Sequence, residues 1–447
     1  MNKIYIMSLG CPRNLLDSEV LQGSLEKMGF TISDMAEDAD VAIVNTCGFI
    51  QDAKEESIDM ILRLAELKKD GRIKRLIVTG CLSQRYPEEL MDEIEEIDAV
   101  YGSSDFTEIP GQIDAVLAGE RIKKVAPISD FLYDDSSERA YLTPAHYAYL
   151  KVQEGCPNRC SYCVIPDIRG PLRSRAIDSV IRETEKIKSD RDLKELILIG
   201  QDITSFGIER AGRPELADLL KKLSPVMKNG WLRLLYTHPA HFTDELIDVI
   251  AGHENICRYI DLPIQHINDK ILKDMGRPPA GSKIAGLIGR IRSRINGVVL
   301  RTSVIVGFPG ETDRQFRKFL DFLKETKFER LGAFIYSREE GTRAAEFKGQ
   351  IPEDVKKARF DEVMKLQQEI SSDNNLEYLD RTMKVLVDER ISGQEGPEPD
   401  LFSGRTYMDA PEVDGVVYVQ GKNIRTGQFA QVRITGSMEY DLIGESV

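Results

Sequence analysis

The stretch Cys156-Pro-Asn-Arg-Cys160-Ser-Tyr-Cys163 places three thiols at i, i+4 and i+7 inside one loop. Three thiolates can close on an iron–sulfur cluster, yet they supply one ligand fewer than four iron corners require. One corner stays open, which ill suits a structural site and suits one that binds and activates a ligand. Zinc is the competing metal, but structural zinc sites pair two short Cys or His units, and no partner unit lies near this one. Three further cysteines, Cys11, Cys47 and Cys81, each follow a short apolar run. Any one alone reads as a small buried residue at a crowded strand end. Three in the same position read as a second three-thiolate site with its own open iron. Cys257, in Asn-Ile-Cys-Arg-Tyr and away from both triads, reads as a buried structural thiol.

The elements around these residues explain how distant thiols could meet. Apolar runs at 3–10, 41–46 and 76–80 read as buried strands, and the spacing of Leu15, Val20, Leu21, Leu25 and Met28 predicts a helix over 14–28, with another over 53–69. Strands alternating with helices imply a parallel sheet whose carboxyl ends open on one side, which brings Cys11, Cys47 and Cys81 together. Residues 131–145 are polar and irregular and read as a linker. A second alternation follows, with strands expected at 148–153, 195–200, 231–236, 258–263, 298–306 and 330–336 and helices at 177–189, 216–227 and 312–326. Six such strands suggest a partial (βα)6 barrel with its active face where the strands end. Cys156 to Cys163 follows the first strand, Gly200-Gln201-Asp202 ends the second, and the run Ser303 to Glu311, containing Gly307, ends the fifth. His238, His241 and His266 also follow barrel strands; each reads either as a pocket residue or as part of a turn, and Gly307-Phe-Pro-Gly310 as a tight turn or a cofactor contact.

Pro352 opens a charged helix to about residue 378. From Met383 the apolar pattern changes to period two, as in 384–388, 415–421 and 429–434, which predicts a small all-β barrel. The expected fold class is therefore α/β plus a small all-β part, divided as 1–130, 141–377 and 378–447. A chain of 447 residues is too long for one ordinary domain. Its 41% hydrophobic and 30% charged residues are ordinary globular composition, without an apolar run near the ~20 residues of a membrane span. No secretory signal is read at the start, so a cytosolic (cytoplasmic) protein without a membrane partner is expected. Seven cysteines in such a chain argue for metal or redox chemistry rather than disulfides. The net charge of −14 mildly disfavours nucleic acid as the main partner.

The Cys-x3-Cys-x2-Cys loop after a first barrel strand, with Tyr162 before its last thiol, resembles the radical S-adenosylmethionine superfamily. The resemblance implies that Cys156, Cys160 and Cys163 hold a four-iron, four-sulfur (4Fe-4S) cluster whose open iron binds S-adenosylmethionine, cleaved on reduction to a deoxyadenosyl radical. Gly200-Gln201-Asp202 stands where that superfamily's Gly-Gly-Glu contacts the methionine amine, and Ser303 and Gly307 are implied cofactor contacts. With Cys11, Cys47 and Cys81 before the barrel and a TRAM-like β-barrel after it, the whole chain resembles the methylthiotransferases. That resemblance implies two 4Fe-4S clusters, the second delivering sulfur, and two molecules of S-adenosylmethionine per turnover. Ser8-Leu-Gly-Cys-Pro-Arg-Asn-Leu-Leu-Asp-Ser-Glu19, Gly200-Gln-Asp-Ile-Thr-Ser-Phe-Gly207, Pro263-Ile-Gln-His266 and Tyr336-Ser-Arg-Glu-Glu-Gly-Thr342 are similar to the branch that modifies an aspartate β-carbon in a ribosomal small-subunit protein. The alternatives are the branch that modifies a transfer-RNA adenosine, which tends to have Gln-Asn at 201–202, and a non-catalytic electron-transfer or scaffold protein. The implied partners are the ribosomal protein as substrate and an electron-donor protein; the sulfur donor is left open. Beyond Tyr378, seven basic residues face twelve acidic ones, Glu395 and Glu398 among them, a balance that suits a basic ribosomal protein better than RNA.

Overall fold

The computed structural model describes residues 2–128, 131–391, 400–422 and 424–447. Position 130, where the first expected domain ends, and the acidic Glu395 and Glu398 lie outside the described residues. Two compact units are present: Met1–Leu142 with Lys151–Val180 and Ser337–Ala345, and Thr143–Leu150 with Ile181–Tyr336 and Glu346–Val447. Among the described residues no helix is long and apolar enough to cross a membrane.

The first unit is built on a six-stranded sheet: β1 (Lys3–Ser8), β2 (Thr31–Ile32), β3 (Val41–Thr46), β4 (Arg75–Gly80), β5 (Ala99–Tyr101) and β6 (Ile122–Lys124) in the order β2-β1-β3-β4-β5-β6. All pairings are parallel. β3 is buried at every position, which is why its sequence is a continuous apolar run rather than an alternating one. The sequence predicts three of these strands. β2, β5 and β6 span only two or three residues, too few to show a period. Helix α1 (Pro12–Lys27) starts at proline, whose missing N–H is harmless at the first helical position, and Gly29 follows its end at φ +89°. Its buried face differs from the predicted one: Met28 is 56% exposed, while Asn14, Asp17, Ser18 and Glu19 are buried with Leu16, Val20, Leu21 and Leu25. Helix α2 is Gln51–Lys69, and the short α3 is Cys81–Arg85.

The expected linker is anchored at its carboxyl end. Buried Glu19 accepts from Arg139 Nε (2.7 Å) and the Leu142 amide (2.8 Å), and its carbonyl accepts from the Ala140 amide (2.9 Å). Its polar composition reflects a hydrogen-bonded strap on α1 rather than a solvated connector.

The second unit carries β7 (Tyr147–Lys151, its last residue belonging to the first unit), β10 (Glu195–Ile199), β11 (Trp231–Leu234), β12 (Tyr259–Asp261), β13 (Val299–Val306) and β14 (Arg330–Ile335). They form two three-stranded sheets, β7-β10-β11 and β12-β13-β14, so the six barrel strands keep their chain order. A single parallel bridge, Leu232 to Ile256, is the ladder contact near the break. The first predicted barrel strand, 148–153, is two elements: β7 stops at Lys151, and β8 (Gln153–Glu154) pairs antiparallel with β9 (Arg173–Ser174). The helix Asp313–Thr326 forms as its sequence predicts, opened by a capping box of Thr312 and Gln315 and burying Phe316, Phe319 and Leu323.

At the carboxyl end, β15 (Thr382–Arg390), β16 (Asp400–Arg405), β17 (Val417–Gly421), β18 (Phe429–Ser437) and β19 (Leu442–Ser446) close a barrel in the order β15-β16-β17-β19-β18. This small barrel is tied to the starts of the larger barrel's strands. Glu195, first in β10, is fully buried between Arg233 Nε and Arg405 Nη1, both at 2.6 Å. Arg330, first in β14, meets Asp409 at 2.6 Å, and Trp231, first in β11, packs on Phe429 with ring centres 4.8 Å apart. These contacts correct the charge argument made from sequence. Asp388, Asp409 and Asp414 are engaged by Arg405, Arg330 and Arg301, so three of the twelve acidic residues neutralise internal arginines rather than face a basic partner.

Candidate active site

The registers Ser8 with Asn45 and Thr46 with Gly80 align the carboxyl ends of β1, β3 and β4. Cys11, Cys47 and Cys81 follow those ends and converge. Gly10, at φ +88°, lets this happen: a Cβ there would lie 2.7 Å from Cys47 Cβ and 3.0 Å from its Sγ. The Ser57 hydroxyl meets both the N–H and the C=O of Cys47, at 3.0 and 2.9 Å. Fully buried Asn14 ties the group together. Its Nδ2 donates to the carbonyls of Leu9 (3.1 Å) and Thr46 (2.9 Å), and its Oδ1 accepts from Arg169 Nη2 (2.7 Å) and lies 3.7 Å from Cys81 Sγ. Burial, reinforced by Cys81 and Cys11, pushes the Cys47 thiol up to about 11. Burial also raises Cys81, against the opposing charge of Arg169. At Cys11 burial is outweighed by Arg13, whose Nε lies 3.4 Å from Sγ, and the thiol falls below its ordinary value.

The second triad belongs to the same unit. Its loop is closed at the base by β8 and β9 and by the Cys156 amide on the Gly170 carbonyl (3.3 Å); the Cys163 amide turns back onto the Cys160 carbonyl (3.3 Å). Asn158 Nδ2 lies 3.5 Å from Cys156 Sγ. Burial, with Cys160 and Cys156 adding to it, pushes Cys163 up to about 12. The segment Ser337–Ala345 braces the loop from outside: the Ala344 amide donates to the Ser161 carbonyl (2.8 Å) and Arg343 Nη2 to the Arg159 carbonyl (2.6 Å).

Two buried polar assemblies connect the triads. Val164 and Ile168, which follow Cys163, pack against Cys81. Arg169, next in the helix Ile165–Arg169, donates to Asp17 (2.7 Å) and Asn14 and lies 3.4 Å from Cys81 Sγ; Lys151 joins Asp17 to Glu154. In the second assembly Glu339 receives Lys54 (2.9 Å), Arg85 (3.0 Å) and the Ser337 hydroxyl (2.7 Å), while Arg85 also donates to the Gly48 carbonyl beside Cys47 (2.7 Å). Asn14, Asp17, Arg169 and Glu339 were not among the residues expected at the site. A signal existed for two of them: Asn14 and Asp17 are polar at i and i+3 on the face of α1 that must be buried.

The donor chemistry fits iron–sulfur clusters at both triads. All six thiols are free of disulfides, and each triad offers three and no fourth cysteine. The five histidines all belong to the other unit, so neither triad has an imidazole in its own unit to complete a tetrahedral zinc site. Cys257, also in the other unit, is buried beside Arg233, and burial pushes it up to about 12.

The residues expected to bind cofactor lie in the second unit. Gly200, Gln201 and Asp202 follow β10, and Ser303 lies in β13 with Gly307 just after it, strands of different sheets. Asp202, 2% exposed, accepts from the Thr204 hydroxyl and pairs with His241 Nδ1 at 2.7 Å; against burial, this pairing, with His238 nearby, holds its carboxyl low. The carboxylate expected to meet a cofactor amine holds an imidazole in this structure. His238 accepts the Ala240 amide on Nδ1 (3.1 Å), and burial, with Arg277, keeps it neutral. The Gly307 amide donates to Glu311 Oε2 (2.7 Å), and a Cβ at Gly307, φ +73°, would meet Lys356 Cγ at 2.4 Å. Glu311 also holds His266 Nε2 (3.1 Å) and Arg359 (2.8 Å), so His266 is an interior support, stacked on Phe319. These contacts favour the tight-turn reading of Gly307.

Residues 3–102 match the Uncharacterized protein family UPF0004, 150–323 the Radical SAM superfamily and 381–447 the TRAM domain. The ribosomal protein uS12 methylthiotransferase RimO of Heliobacterium modesticaldum is 45% identical over 445 residues, covering 100% of this chain and 95% of that protein. Those of Pelotomaculum thermopropionicum and Clostridioides difficile are 47% and 45% identical, covering 100% of this chain and 99% of each. Among solved structures, the radical S-adenosylmethionine methyltransferase TsrM of Kitasatospora setae, with cobalamin and a [4Fe-4S] cluster, superposes at a TM-score of 0.56, with 17% identity over 77% of each chain. The cobalamin-dependent radical enzyme OxsB gives 0.52 at 12% identity, over 82% of this chain and 56% of that one. At these identities the likeness is one of fold.

Proposed function

The chain belongs to the ribosomal protein uS12 methylthiotransferases, radical S-adenosylmethionine enzymes, and from that premise we propose that it places a methylthio group on the β-carbon of an aspartate in uS12. Its cofactors are two 4Fe-4S clusters and S-adenosylmethionine. We assign Cys156, Cys160 and Cys163 to one cluster and Cys11, Cys47 and Cys81 to the other. When bound, the first cluster with S-adenosylmethionine supplies removal of a hydrogen from an unactivated carbon, and the second supplies sulfur.

The protein's own part is to bring these two capacities to one carbon. The observation that carries the reading is that both triads lie in one compact unit, with Arg169 from the helix after one triad at the thiol of the other. Arg13 and Arg169 oppose the negative charge that gathers when three buried thiols ionise. Asn14 fixes two strand ends beside Cys81, and Glu339 holds the segment that braces the second loop. Positioning of this kind matters because an ångström of misplacement between reacting groups costs rate steeply.

The proposed division of labour is sulfur chemistry on residues 1–130, radical chemistry on 141–377 and a TRAM barrel from 378. Partners follow from the reaction: uS12 as acceptor, an electron-donor protein, and a sulfur source. A ribosomal substrate implies the cytoplasm. The test is to incubate reconstituted enzyme with S-adenosylmethionine, a reductant and either a uS12 peptide carrying the target aspartate or transfer RNA. Gain of CH2S on the peptide aspartate supports the reading, and modification of transfer RNA alone refutes it.

A further inference from the structure

We propose that a cavity between the edge of β14 and the small barrel receives a lysine or arginine side chain of uS12, and so docks the substrate protein away from the reacting carbon. The inference rests on the reading above that uS12 is the acceptor. The cavity measures about 230 Å³ and lies within the second unit. Leu331 and Gly332 of β14 line it, with Val413, Tyr440 and Asp441 from loops of the small barrel. Gly415 lets those loops meet, since a Cβ there would lie 2.1 Å from the Tyr440 carbonyl oxygen.

The charge around the cavity is negative. Arg301 and Arg330 border it, but Arg301 is paired with Asp261 (3.0 Å) and Asp414 (3.3 Å), and Arg330 with Asp409 (2.6 Å). Three carboxylates therefore face two guanidiniums before Asp441 is counted. Asp441 accepts the Val416 amide on one oxygen (2.8 Å) and meets no cation among the described residues. The backbone offers a second acceptor. β14 is the edge of its sheet, and the amide of Tyr336, which follows it directly, donates to the Val306 carbonyl of β13 (2.9 Å). Backbone groups alternate in direction along a strand, so the amide and carbonyl of Leu331 turn to the open edge. A carboxylate, a main-chain carbonyl and the aromatic Tyr440, 40% exposed, are partners suited to an ammonium or guanidinium. Leu331 and Val413 suit the methylene stem that carries it.

Two observations assign the cation to a protein rather than to a free small molecule. A protein that sits on ribosomal RNA carries lysines and arginines to meet its phosphates. Along the same strand Phe334 and Ile335 are 46% and 37% exposed, about 10 to 13 Å beyond Leu331. A protein anchored at the cavity covers these apolar side chains, whereas a free cation leaves them in water.

The experiment compares reconstituted wild type, D441N and D441K on full-length uS12 and on a short uS12 peptide carrying the target aspartate. The Kd for uS12 is measured by titration calorimetry, and KM and kcat for both substrates. D441N keeps the oxygen that accepts the Val416 amide and removes only the charge. The Kd and KM for uS12 are expected to rise roughly tenfold in D441N, the worth of one charge-assisted hydrogen bond, and further in D441K. The kcat and the peptide KM are expected to stay at their wild-type values. Wild-type affinity for uS12 in both variants overturns the proposal. So does an equal rise in KM for the short peptide, which would place the effect in the fold rather than in docking. Binding of uS12 that depends on Asp441, with neither substrate modified by wild type, supports the docking and refutes the function. Modification of both substrates with a uS12 affinity indifferent to Asp441 refutes the docking alone.

Discussion

Arg169 Nη2 lies 3.4 Å from Cys81 Sγ, although the two residues are 88 positions apart. Arg169 stands at the end of the short helix that follows the second triad, and Cys81 completes the first. Its other nitrogen pairs with Asp17 at 2.7 Å, and both partners are nearly inaccessible. A buried charge left without its partner costs about 3 to 5 kcal/mol. R169M is therefore expected to lower the urea midpoint strongly, and R169M/D17L to recover part of the loss because no charge is stranded. Urea unfolding of the metal-free variants checks this; additive losses in the double variant would contradict it.

Glu339 anchors the segment that braces the second triad's loop. Lys54 and Arg85 reach its carboxylate from the first triad's surroundings, and its segment braces Ser161 and Arg159 in the second loop. No thiol touches it in these contacts, so E339Q should retain about eight iron per chain. The gap between the triads should loosen, and misplacement should reduce methylthio product roughly tenfold or more while deoxyadenosine continues to form. The ratio of product to deoxyadenosine is the measurement, and an unchanged ratio would count against a positioning role.

Acid sensitivity should come from the junction of the two barrels. Burial works to raise the Glu195 carboxyl, but Arg233 and Arg405 outweigh it and hold it below its ordinary value of 4.5. At Asp388 burial is likewise outweighed, by His146 and Arg405. A carboxyl with a depressed folded pKa binds its proton more weakly when folded. Its stabilisation is complete above the ordinary carboxylate pKa and is lost as pH falls through the folded value. The melting temperature should hold steady from about pH 8 to about pH 5 and fall below that. E195Q should cost about 3 kcal/mol near neutrality and flatten the acid decline. Calorimetry across this range decides it.

Thiol reactivity in metal-free protein should follow local charge. Arg13 lowers Cys11, whereas burial lifts Cys47 to about 11 and Cys163 to about 12. Thiolate is the nucleophile, so iodoacetamide at about pH 8 should modify Cys11 ahead of the other two. Peptide mapping by mass spectrometry reads the order, and iron loading should protect all three.

The six ligand candidates were legible because their cues are local: a three-thiol spacing in one loop, and cysteines adjoining glycines at strand ends. The long strands and the period-two tail were legible for the same reason. The residues that couple the triads were not. Asn14 and Asp17 look like solvated helix positions until a second element covers them, and Arg169 and Glu339 acquire their partners only through the fold. A charge count of the tail cannot tell a surface carboxylate from Asp409 locked to Arg330. Asp202 sits at the predicted strand end, but its oxygens hold Thr204 and His241, a pairing invisible in the Gly-Gln-Asp motif.

The central claim is that two cysteine triads in one unit divide the labour, one for radical formation and one for sulfur. Mass spectrometry of a uS12 peptide after incubation with wild type, C163A and C81A tests it most directly, with deoxyadenosine measured in the same samples. Wild type should add CH2S to the aspartate, C163A should yield neither product nor deoxyadenosine, and C81A should yield deoxyadenosine with no methylthio group. Methylthiolated aspartate from C81A at the wild-type rate would contradict the account.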